Sequence, residues 1–379
     1  MAPPRKSSPF VGCLFIYFCI FITLCLSQTC AVTDGHVQHN NTDMESCVGA
    51  LASSAREELL SRGAAAATHS ALVPPPASIE VAKRFGLFGA IGSAAGSELL
   101  GWCPDEGRKL RRHLLAMREK DPSGVIIDVG SFDGSDAINF AQSSRHRVWT
   151  FEPAPTKHAG IRNHLRDKGV AENVTLFPMA LSNRSGVAQF ELMPPTGPRG
   201  RAFVGGGSNA LGSAQDLLIQ DDRPKGLPTR ESKRVVEVPI CQLDALLPPP
   251  HRVSYLKIDA QGFDTLVLRG AADLLAQRRI SALAFEFTPF LMPGRSAEAQ
   301  SALEWLESLG YACVPCWRAH QAPAGHQARG AWPIARYVDH FRNRSLWDDV
   351  ACRPLETLAT CGAVGGRRAP FDQALCGGG

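Results

Sequence analysis

Strand-length apolar runs alternate with helix-length segments along most of this chain, and this alternation constrains its fold more than any other feature. The predicted strands are Val125–Val129, Arg147–Phe151, Val174–Ala180, Val253–Ile258, Ala282–Phe287, Tyr311–Pro315 and Ile334–Val338, with a separate strand pair at Val187–Leu192 and Arg234–Pro239. The predicted helices are Ser135–Gln142, Pro155–Lys168, Phe263–Gln277 and Ala297–Leu309, preceded by one that Pro104 begins and whose Leu110, Leu114 and Leu115 share a face. This order predicts an α/β fold with a doubly wound, mainly parallel sheet. The functional site of such a sheet lies at the carboxyl ends of its strands.

An uncharged apolar run covers residues 10–26 and follows the basic residues Arg5 and Lys6. A helix of about 20 residues is roughly 30 Å long, which matches the hydrocarbon core of a bilayer. The run is either a cleaved signal peptide, with a loose cleavage site at Thr29–Ala31, or a signal anchor that stays in the membrane and spans it once. Both alternatives place the rest of the chain in the secretory pathway, as an ER or Golgi lumenal domain or as a secreted protein.

The chain divides into four predicted segments. Residues 1–32 are the targeting segment, 33–100 a partly disordered stem or linker, 101–350 the folded domain, and 351–379 a C-terminal tail. The net charge of +4 is small for 379 residues, and no stripe of interleaved basic and aromatic residues is present, so we expect no nucleic-acid partner. The sequence does not determine the oligomeric state.

Cysteines and glycosylation sequons agree with an oxidising compartment. Three of the 12 cysteines lie in the apolar run, which leaves the others for disulfides. Sequons begin at Asn40, Asn173, Asn183 and Asn343 and predict a glycoprotein. Cys313 and Cys316 form a single C-x-x-C, which is weak as a zinc site. We therefore predict that these two cysteines form either one disulfide or two separate ones.

The turn Asp128-Val-Gly130-Ser-Phe-Asp-Gly134 follows the first predicted strand and precedes a helix. Its glycines allow a sharp turn and the close approach of a ligand, but their spacing differs from the G-x-G-x-x-G of dinucleotide-binding proteins. An acid before the first glycine repels phosphate and suits an ammonium group, and Glu152 at the end of the second strand suits the hydroxyls of a ribose. A nucleoside with a cationic amino-acid tail, S-adenosylmethionine, fits this pattern. The alternative is a βαβ turn with a purely structural role.

Several motifs, in this order, resemble the FkbM family of class I S-adenosylmethionine-dependent methyltransferases. They are IIDVGSFDGSDAINFA, VWTFEPAP, VTLFPMALSNRSG, ICQLDALL, YLKIDAQGFDTLVLRGAADLL, and ALAFEF followed by ALEWLESLGYACV. The resemblance implies the Rossmann-like class I methyltransferase fold with a seven-stranded sheet, and S-adenosylmethionine as cofactor. The cofactor-binding residues that it implies are Asp128, Gly130, Ser131, Phe132, Gly134, Glu152, Ala180 and Leu181.

The predicted catalytic residues are Asp259, Lys257 and Glu286. Lys257 and Asp259 share one face of a strand by the period of two, and Asp259 emerges at the carboxyl end of that strand. A base within reach of an acceptor hydroxyl raises the nucleophilicity of its oxygen, so we assign Asp259 as base or acceptor-orienting group and Lys257 as its charge partner. A structural Lys257–Asp259 ion pair is the alternative. Glu286, at the end of the next strand, completes the acceptor side, and we predict no metal.

Two positions depart from the pattern of the family. Phe132 stands where the family often has Asn, and Gln261 stands where the family usually has Glu. Gln261 has no carboxylate, so this position cannot replace the family's carboxylate in charge pairing or metal binding. Phe132 has no explanation from the sequence.

The predicted function is transfer of a methyl group from S-adenosylmethionine to a hydroxyl of a sugar, glycan or small metabolite. The first alternative is a family member that binds the cofactor without turnover. The second is a Golgi-type glycosyltransferase, a class that shares the single-pass layout and often carries D-x-D at a metal–nucleotide site. The sequence contains no D-x-D.

Overall fold

The computed structural model of this chain describes residues 99–192, 210–211, 234–247, 249–292, 295–316, 334–343 and 346–357. All of them belong to the second of two compact units, Ser46–Gly379. The apolar run at 10–26, the stem at 33–98, the sequon at Asn40 and the tail from 358 lie outside the described residues. Within the described part, no helix is long and apolar enough to cross a membrane.

Helices and strands alternate as predicted over the central part of the chain. Helices α1 to α8 span Gly107–Lys120, Ser135–Ser144, Pro155–Asp167, Leu243–Leu246, Asp264–Arg269, Ala272–Ala276, Arg295–Ser308 and Ile334–Arg342. Strands β1 to β11 span Val125–Val129, Arg147–Phe151, Val174–Phe177, Ala180–Leu181, Gly186–Leu192, Ala210–Leu211, Arg234–Cys241, Val253–Ile258, Leu283–Phe287, Tyr311–Pro315 and Asp348–Pro354.

Seven strands form one sheet in the order β10-β11-β9-β8-β1-β2-β3. The β9-β8-β1-β2-β3 pairings are parallel, and β11 is antiparallel to both of its neighbours. Every residue of β1 and β8 is buried, because helices cover both faces of a parallel sheet and its central strands need apolar side chains on both sides. This arrangement confirms the predicted fold class, and it places the ends of β1, β2, β8 and β9 along one edge.

A second sheet of four strands has the order β4-β7-β5-β6. Strands β5 and β7 are antiparallel and pair from Gly186↔Ile240 to Leu192↔Arg234, which confirms the predicted strand pair. The predicted third strand is divided in two: β3 belongs to the large sheet, and β4 pairs with β7 in the small one. The small sheet thereby continues from the end of β3.

The last predicted strand, Ile334–Val338, is wrong, because this segment is helix α8. Tyr337, Val338 and Phe341 recur at helical spacing and are buried, with the rings of Tyr337 and Phe341 against Phe287 of the sheet. The last strand is instead β11, which begins with two buried acids and therefore lacks the apolar start of a typical central strand. It also continues past residue 350, the predicted end of the folded domain.

The predicted helix Phe263–Gln277 is two helices, α5 and α6, which are separated at Gly270. A Cβ atom at Gly270 would lie 1.9 Å from the carbonyl oxygen of Ser182, so only glycine lets the two segments approach. In α1, Leu110 and Leu114 are buried as predicted, whereas Leu115 is exposed.

Two disulfides tie the ends of the described domain together. Cys103 pairs with Cys316, and Cys313 pairs with Cys352, its register partner across β10 and β11. The C-x-x-C therefore forms two separate disulfides, which is one of the two predicted outcomes. The first disulfide fastens the segment before α1 to the end of β10.

We expect the double variant Cys103→Ser/Cys316→Ser to be less stable by about 2–5 kcal/mol, because the bond crosslinks residues 213 positions apart and restricts the unfolded chain. Guanidinium unfolding of the double variant and of the wild type, both under oxidising conditions, measures the difference. Equal free energies of unfolding would show that this bond does not stabilise the fold.

Candidate functional site at the carboxyl edge of the sheet

The glycine turn after β1 lies between the ends of two neighbouring strands. Gly130 and Gly134 both have a φ of +84°, a left-handed conformation that favours glycine. A Cβ atom at Gly130 would lie 2.0 Å from the carbonyl oxygen of Asp259, so the turn after β1 is in close contact with the loop after β8. The backbone amides of Gly130 and Ser131 both donate to the carbonyl oxygen of Phe151. These contacts hold the turn at the centre of the edge.

Glu152 holds the same turn from the end of β2. One carboxylate oxygen accepts a hydrogen bond of 2.8 Å from the backbone amide of Phe132, and the other accepts one of 2.8 Å from Ala154. Burial raises the pKa of Glu152, while these two hydrogen bonds and the nearby Lys157 act in the opposite direction. Each oxygen keeps a second acceptor position for a ligand hydroxyl.

Phe132 is the unusual residue of this turn. Its φ is +55°, which Asn adopts more readily than an aromatic residue, and its side chain is 54% exposed. The ammonium of Lys157 lies 3.9 Å from the centroid of its ring. The turn therefore presents an aromatic side chain with a cation beside it.

Asp128 lies beneath the turn and is fully buried. Its carboxylate accepts a hydrogen bond of 2.8 Å from the hydroxyl of Thr150 and forms an ion pair of 3.4 Å with Lys257. Burial raises the pKa of Asp128, and Lys257 only partly opposes this. The side chain of Asp128 has no accessible surface in this arrangement, and its two contacts fix it beneath the turn.

The ammonium of Lys257 is nearly buried and lies close to three carboxylates. Its Nζ atom lies 3.0 Å from Asp136, 3.4 Å from Asp128 and 3.7 Å from Asp259. Burial alone would lower the pKa of Lys257, but the three carboxylates outweigh burial and raise it well above its usual value. Asp136 was not predicted as a site residue, because it stands in the first turn of α2 and no local pattern relates it to a lysine on β8.

The three predicted catalytic residues lie together, and Gln261 joins two of them. The amide nitrogen of Gln261 lies 2.6 Å from an oxygen of Asp259 and 3.2 Å from one of Glu286, and it donates to both. Gln261 has a φ of +51°, an uncommon conformation for a residue with a side chain. Its side chain thereby turns back between the two acids, a role that the sequence did not indicate.

The two acids of this group differ in their surroundings. Asp259 is partly exposed, whereas Glu286 is buried. Burial, together with Asp259, Asp264 and Asp349, raises the pKa of Glu286 well above its usual value, which favours its protonated form. The edge thus carries the accessible side chain of Asp259 next to a buried carboxyl group that can donate a hydrogen bond when it is protonated.

Asp264 supports the loop that carries Asp259. Its two oxygens accept hydrogen bonds from the backbone amides of Ala260 and Gly262. Burial and the charge of Asp259 raise the pKa of Asp264 to about 7. Asp264 is fully buried, which assigns it to the loop rather than to a ligand.

Ala180 and Leu181 form the short strand β4 and pair with Ile240 and Cys241. The side chains of Ala180 and Leu181 are both buried, so the structure places them in the core next to the end of β3. In the part of the chain that the structure describes, no group of three or more His, Cys, Asp or Glu side chains is arranged to hold a metal ion.

The sequence of residues 128–313 matches the family model of the methyltransferase FkbM domain. This stretch, just under half of the chain, is a domain of the FkbM methyltransferase family. S-adenosylmethionine, the cofactor that the sequence predicts, is the methyl donor of this family.

The chain is also 35% identical over 88 residues to the 2-O-methyltransferase NoeI of Sinorhizobium fredii (strain NBRC 101917 / NGR234). The match covers 23% of this chain and 35% of NoeI, so the chain spans about a third of the length of this relative.

Two solved structures have a low similarity to this chain. The methyltransferase FkbM of Methylobacillus flagellatus KT has a TM-score of 0.35 and 13% identity, over 73% of this chain and 58% of that protein. The O-methyltransferase TomG of Streptomyces achromogenes, solved in complex with SAM, has a TM-score of 0.29 and 11% identity, over 74% of this chain and 91% of TomG.

The carboxyl edge fits a polar ligand such as S-adenosylmethionine. The hydroxyls of Ser131, in the glycine turn, and Thr288, just after β9, are buried and have no hydrogen-bond partner among the described residues. A buried hydroxyl without a partner costs free energy, and a ligand at this edge would supply one. Ser131 is on the side of the glycine turn, and Thr288 is on the side of Glu286.

Proposed function

We propose that this protein transfers a methyl group from S-adenosylmethionine to a hydroxyl oxygen of a sugar, a glycan or a small metabolite. The observation that carries the proposal is the pair Asp259 and Glu286, which Gln261 joins at the same edge as the glycine turn. Asp259 can accept a hydrogen bond from an acceptor hydroxyl, and Glu286 can donate one to it in the protonated form that its raised pKa favours.

The donor side of the proposed site is the glycine turn with Glu152. The left-handed conformations of Gly130 and Gly134 shape the turn, and the hydroxyl of Ser131 and the backbone of Phe132 line it. The free acceptor positions of Glu152 suit the two ribose hydroxyls. Ala180 and Leu181, which form β4 shortly after β3, are proposed to lie against the adenine.

The acceptor side is built around Asp259. In the proposed reaction Asp259 accepts the proton of the acceptor hydroxyl as the oxygen–carbon bond forms, and Lys257 stabilises the ionised carboxylate from 3.7 Å. Glu286, in the protonated form that its raised pKa favours, donates a hydrogen bond to the acceptor and helps to orient it. The cofactor supplies an activated methyl group on a sulfonium, whose carbon–sulfur bond breaks to leave a neutral thioether.

We also propose that the domain works in the secretory pathway, either secreted or attached to the membrane through residues 10–26. The two disulfides support this location, because such bonds persist in oxidising compartments. The sequon residues Asn173, Asn183 and Asn343 are exposed, so they are accessible to glycosylation. A lumenal enzyme would need its methyl donor to be imported from the cytosol.

Calorimetry of the full chain with S-adenosylmethionine tests the donor side. We expect binding by the wild type and at least roughly tenfold weaker binding by Glu152→Gln, since the amide offers one acceptor oxygen where the carboxylate offers two. Glu172→Gln, a substitution at an exposed glutamate, is the matched control and should bind as the wild type does. The absence of binding by the wild type would contradict the proposal.

Labelled methyl transfer tests the acceptor side. The full chain is incubated with methyl-labelled S-adenosylmethionine and a panel of free sugars and glycans, and the products are identified by mass spectrometry. Incorporation at a hydroxyl is expected. Binding of the cofactor without transfer to any acceptor would favour an inactive family member, and transfer from a UDP-sugar instead would favour a glycosyltransferase.

A further inference from the structure

We infer that Asp136, and not Asp128, forms the contact with the ammonium group on the amino-acid tail of the cofactor. The inference rests on the proposed function, because it assigns one residue to one part of S-adenosylmethionine. It replaces the expectation that the acid before the first glycine meets this tail.

Asp128 cannot meet the tail in the observed arrangement. Its side chain is fully buried beneath the turn, and its oxygens face the hydroxyl of Thr150 and the ammonium of Lys257. To reach a ligand, Asp128 would have to leave both partners and displace the turn above it. The predicted carboxylate is therefore a support of the site.

Asp136 lies where Asp128 was expected to act. It stands two residues after Gly134, in the first turn of α2, and its side chain is 52% exposed. Lys257 lies 3.0 Å from one of its oxygens, which leaves the second oxygen accessible to a ligand. The first turn of a helix also favours an ionised acid, because the helix dipole is positive there.

The charges around Lys257 leave room for a further cation. Three carboxylates, those of Asp128, Asp136 and Asp259, surround this one ammonium, which gives the group a formal charge of −2 when all are ionised. Burial favours the neutral form of Asp128, and the group then still carries −1. An ammonium group from a ligand would balance this charge at the two exposed members, Asp136 and Asp259.

A second observation points to a ligand at this place. The hydroxyl of Ser131, in the turn that leads to α2, is more than nine-tenths buried and has no partner among the described residues. A zwitterionic tail carries an ammonium for Asp136 and a carboxylate that can accept a hydrogen bond from this hydroxyl. Asp136 thus provides an acceptor for the ammonium of an amino acid, and Ser131 provides a donor for its carboxylate.

Calorimetry with three ligands tests the inference without a methyl acceptor. S-adenosylmethionine and S-adenosylhomocysteine carry the amino-acid tail, whereas methylthioadenosine has the nucleoside without it. We expect Asp136→Asn to bind the first two ligands about ten- to a hundredfold more weakly, which is the loss of one charge-assisted hydrogen bond, and to bind methylthioadenosine as the wild type does. The control is Asp133→Asn, which changes a neighbouring exposed acid. The Asn oxygen can still accept the hydrogen bond from the backbone amide of Ser135, so this variant should bind all three ligands as the wild type does.

Other outcomes would overturn the inference. Equal losses for all three ligands would show that Asp136 acts through the shape of the turn. Unchanged binding by Asp136→Asn, with a loss restricted to the tail-bearing ligands in Asp128→Asn, would return the contact to Asp128. The failure of the wild type to bind any of the three ligands would instead contradict the proposed function itself.

Discussion

The variant Asp259→Asn should lower kcat by roughly 10²- to 10⁴-fold and leave the affinity for S-adenosylmethionine nearly unchanged, which is the size of effect of a lost general base. Asn keeps the shape of the side chain and can still accept a hydrogen bond from Gln261 at 2.6 Å, but it cannot take a proton from the acceptor. The rate is measured with the acceptor that labelled methyl transfer identifies, and the affinity by calorimetry.

A matched control separates this effect from a general loss of charge. Asp167→Asn changes an exposed acid at the end of α3 and should leave kcat as in the wild type. If Asp259→Asn kept full kcat, the Lys257–Asp259 contact would be a structural ion pair, the alternative that the sequence leaves open. If both kcat and cofactor affinity fell together, Asp259 would act on the donor side.

The variant Lys257→Met should lower the free energy of unfolding by about 3–5 kcal/mol, because it leaves a buried carboxylate without its cation. Lys257 is nearly buried and lies against three carboxylates, and Asp128 is the one that has no access to water. Chemical unfolding measured at several pH values gives the difference. The exposed Lys168→Met should show almost no change.

The stability lost in Lys257→Met should depend on pH, and the pKa of Asp128 determines whether the loss grows or shrinks as the pH rises. Burial holds this pKa above its usual value of 3.8 in the folded protein. Because the charge of Lys257 lowers this pKa, Lys257→Met raises it further, so the variant loses more stability than the wild type as the pH rises, and the cost of the substitution should grow from acidic to neutral pH. The double variant Asp128→Asn/Lys257→Met should recover much of the stability, since neither member of this buried ion pair then carries a charge. An equal cost at all pH values would show that lost packing, and not charge, destabilises the variant.

Local patterns predicted the parts of the fold that short stretches of chain encode. The apolar runs at Val125–Val129 and Val253–Ile258 predicted central parallel strands with correct bounds. The predictions failed where the local pattern was ambiguous. The segment at Ile334 reads as a strand and is a helix, while β11 begins with Asp348 and Asp349, whose burial depends on neighbouring strands.

The members of the candidate site could be predicted only in part. Asp259 and Glu286 were predicted to lie together because parallel strands bring their carboxyl ends to one edge. Gln261 was noticed only as a lost charge, since the conformation that turns its amide between two acids arises from a left-handed backbone at one residue. Asp136 was missed altogether.

The sequence by itself determined the glycine turn, the sheet that carries it and the family with its methyl donor, because strand length, glycine spacing and motif order are all local properties of the chain. The tertiary structure decided which acid near that turn is buried and which is exposed. Asp128 pairs with Lys257 across neighbouring strands and is sealed beneath the turn, whereas Asp136 remains exposed on α2. Burial and charge pairing depend on residues that are distant in sequence, so no local pattern could have made that choice.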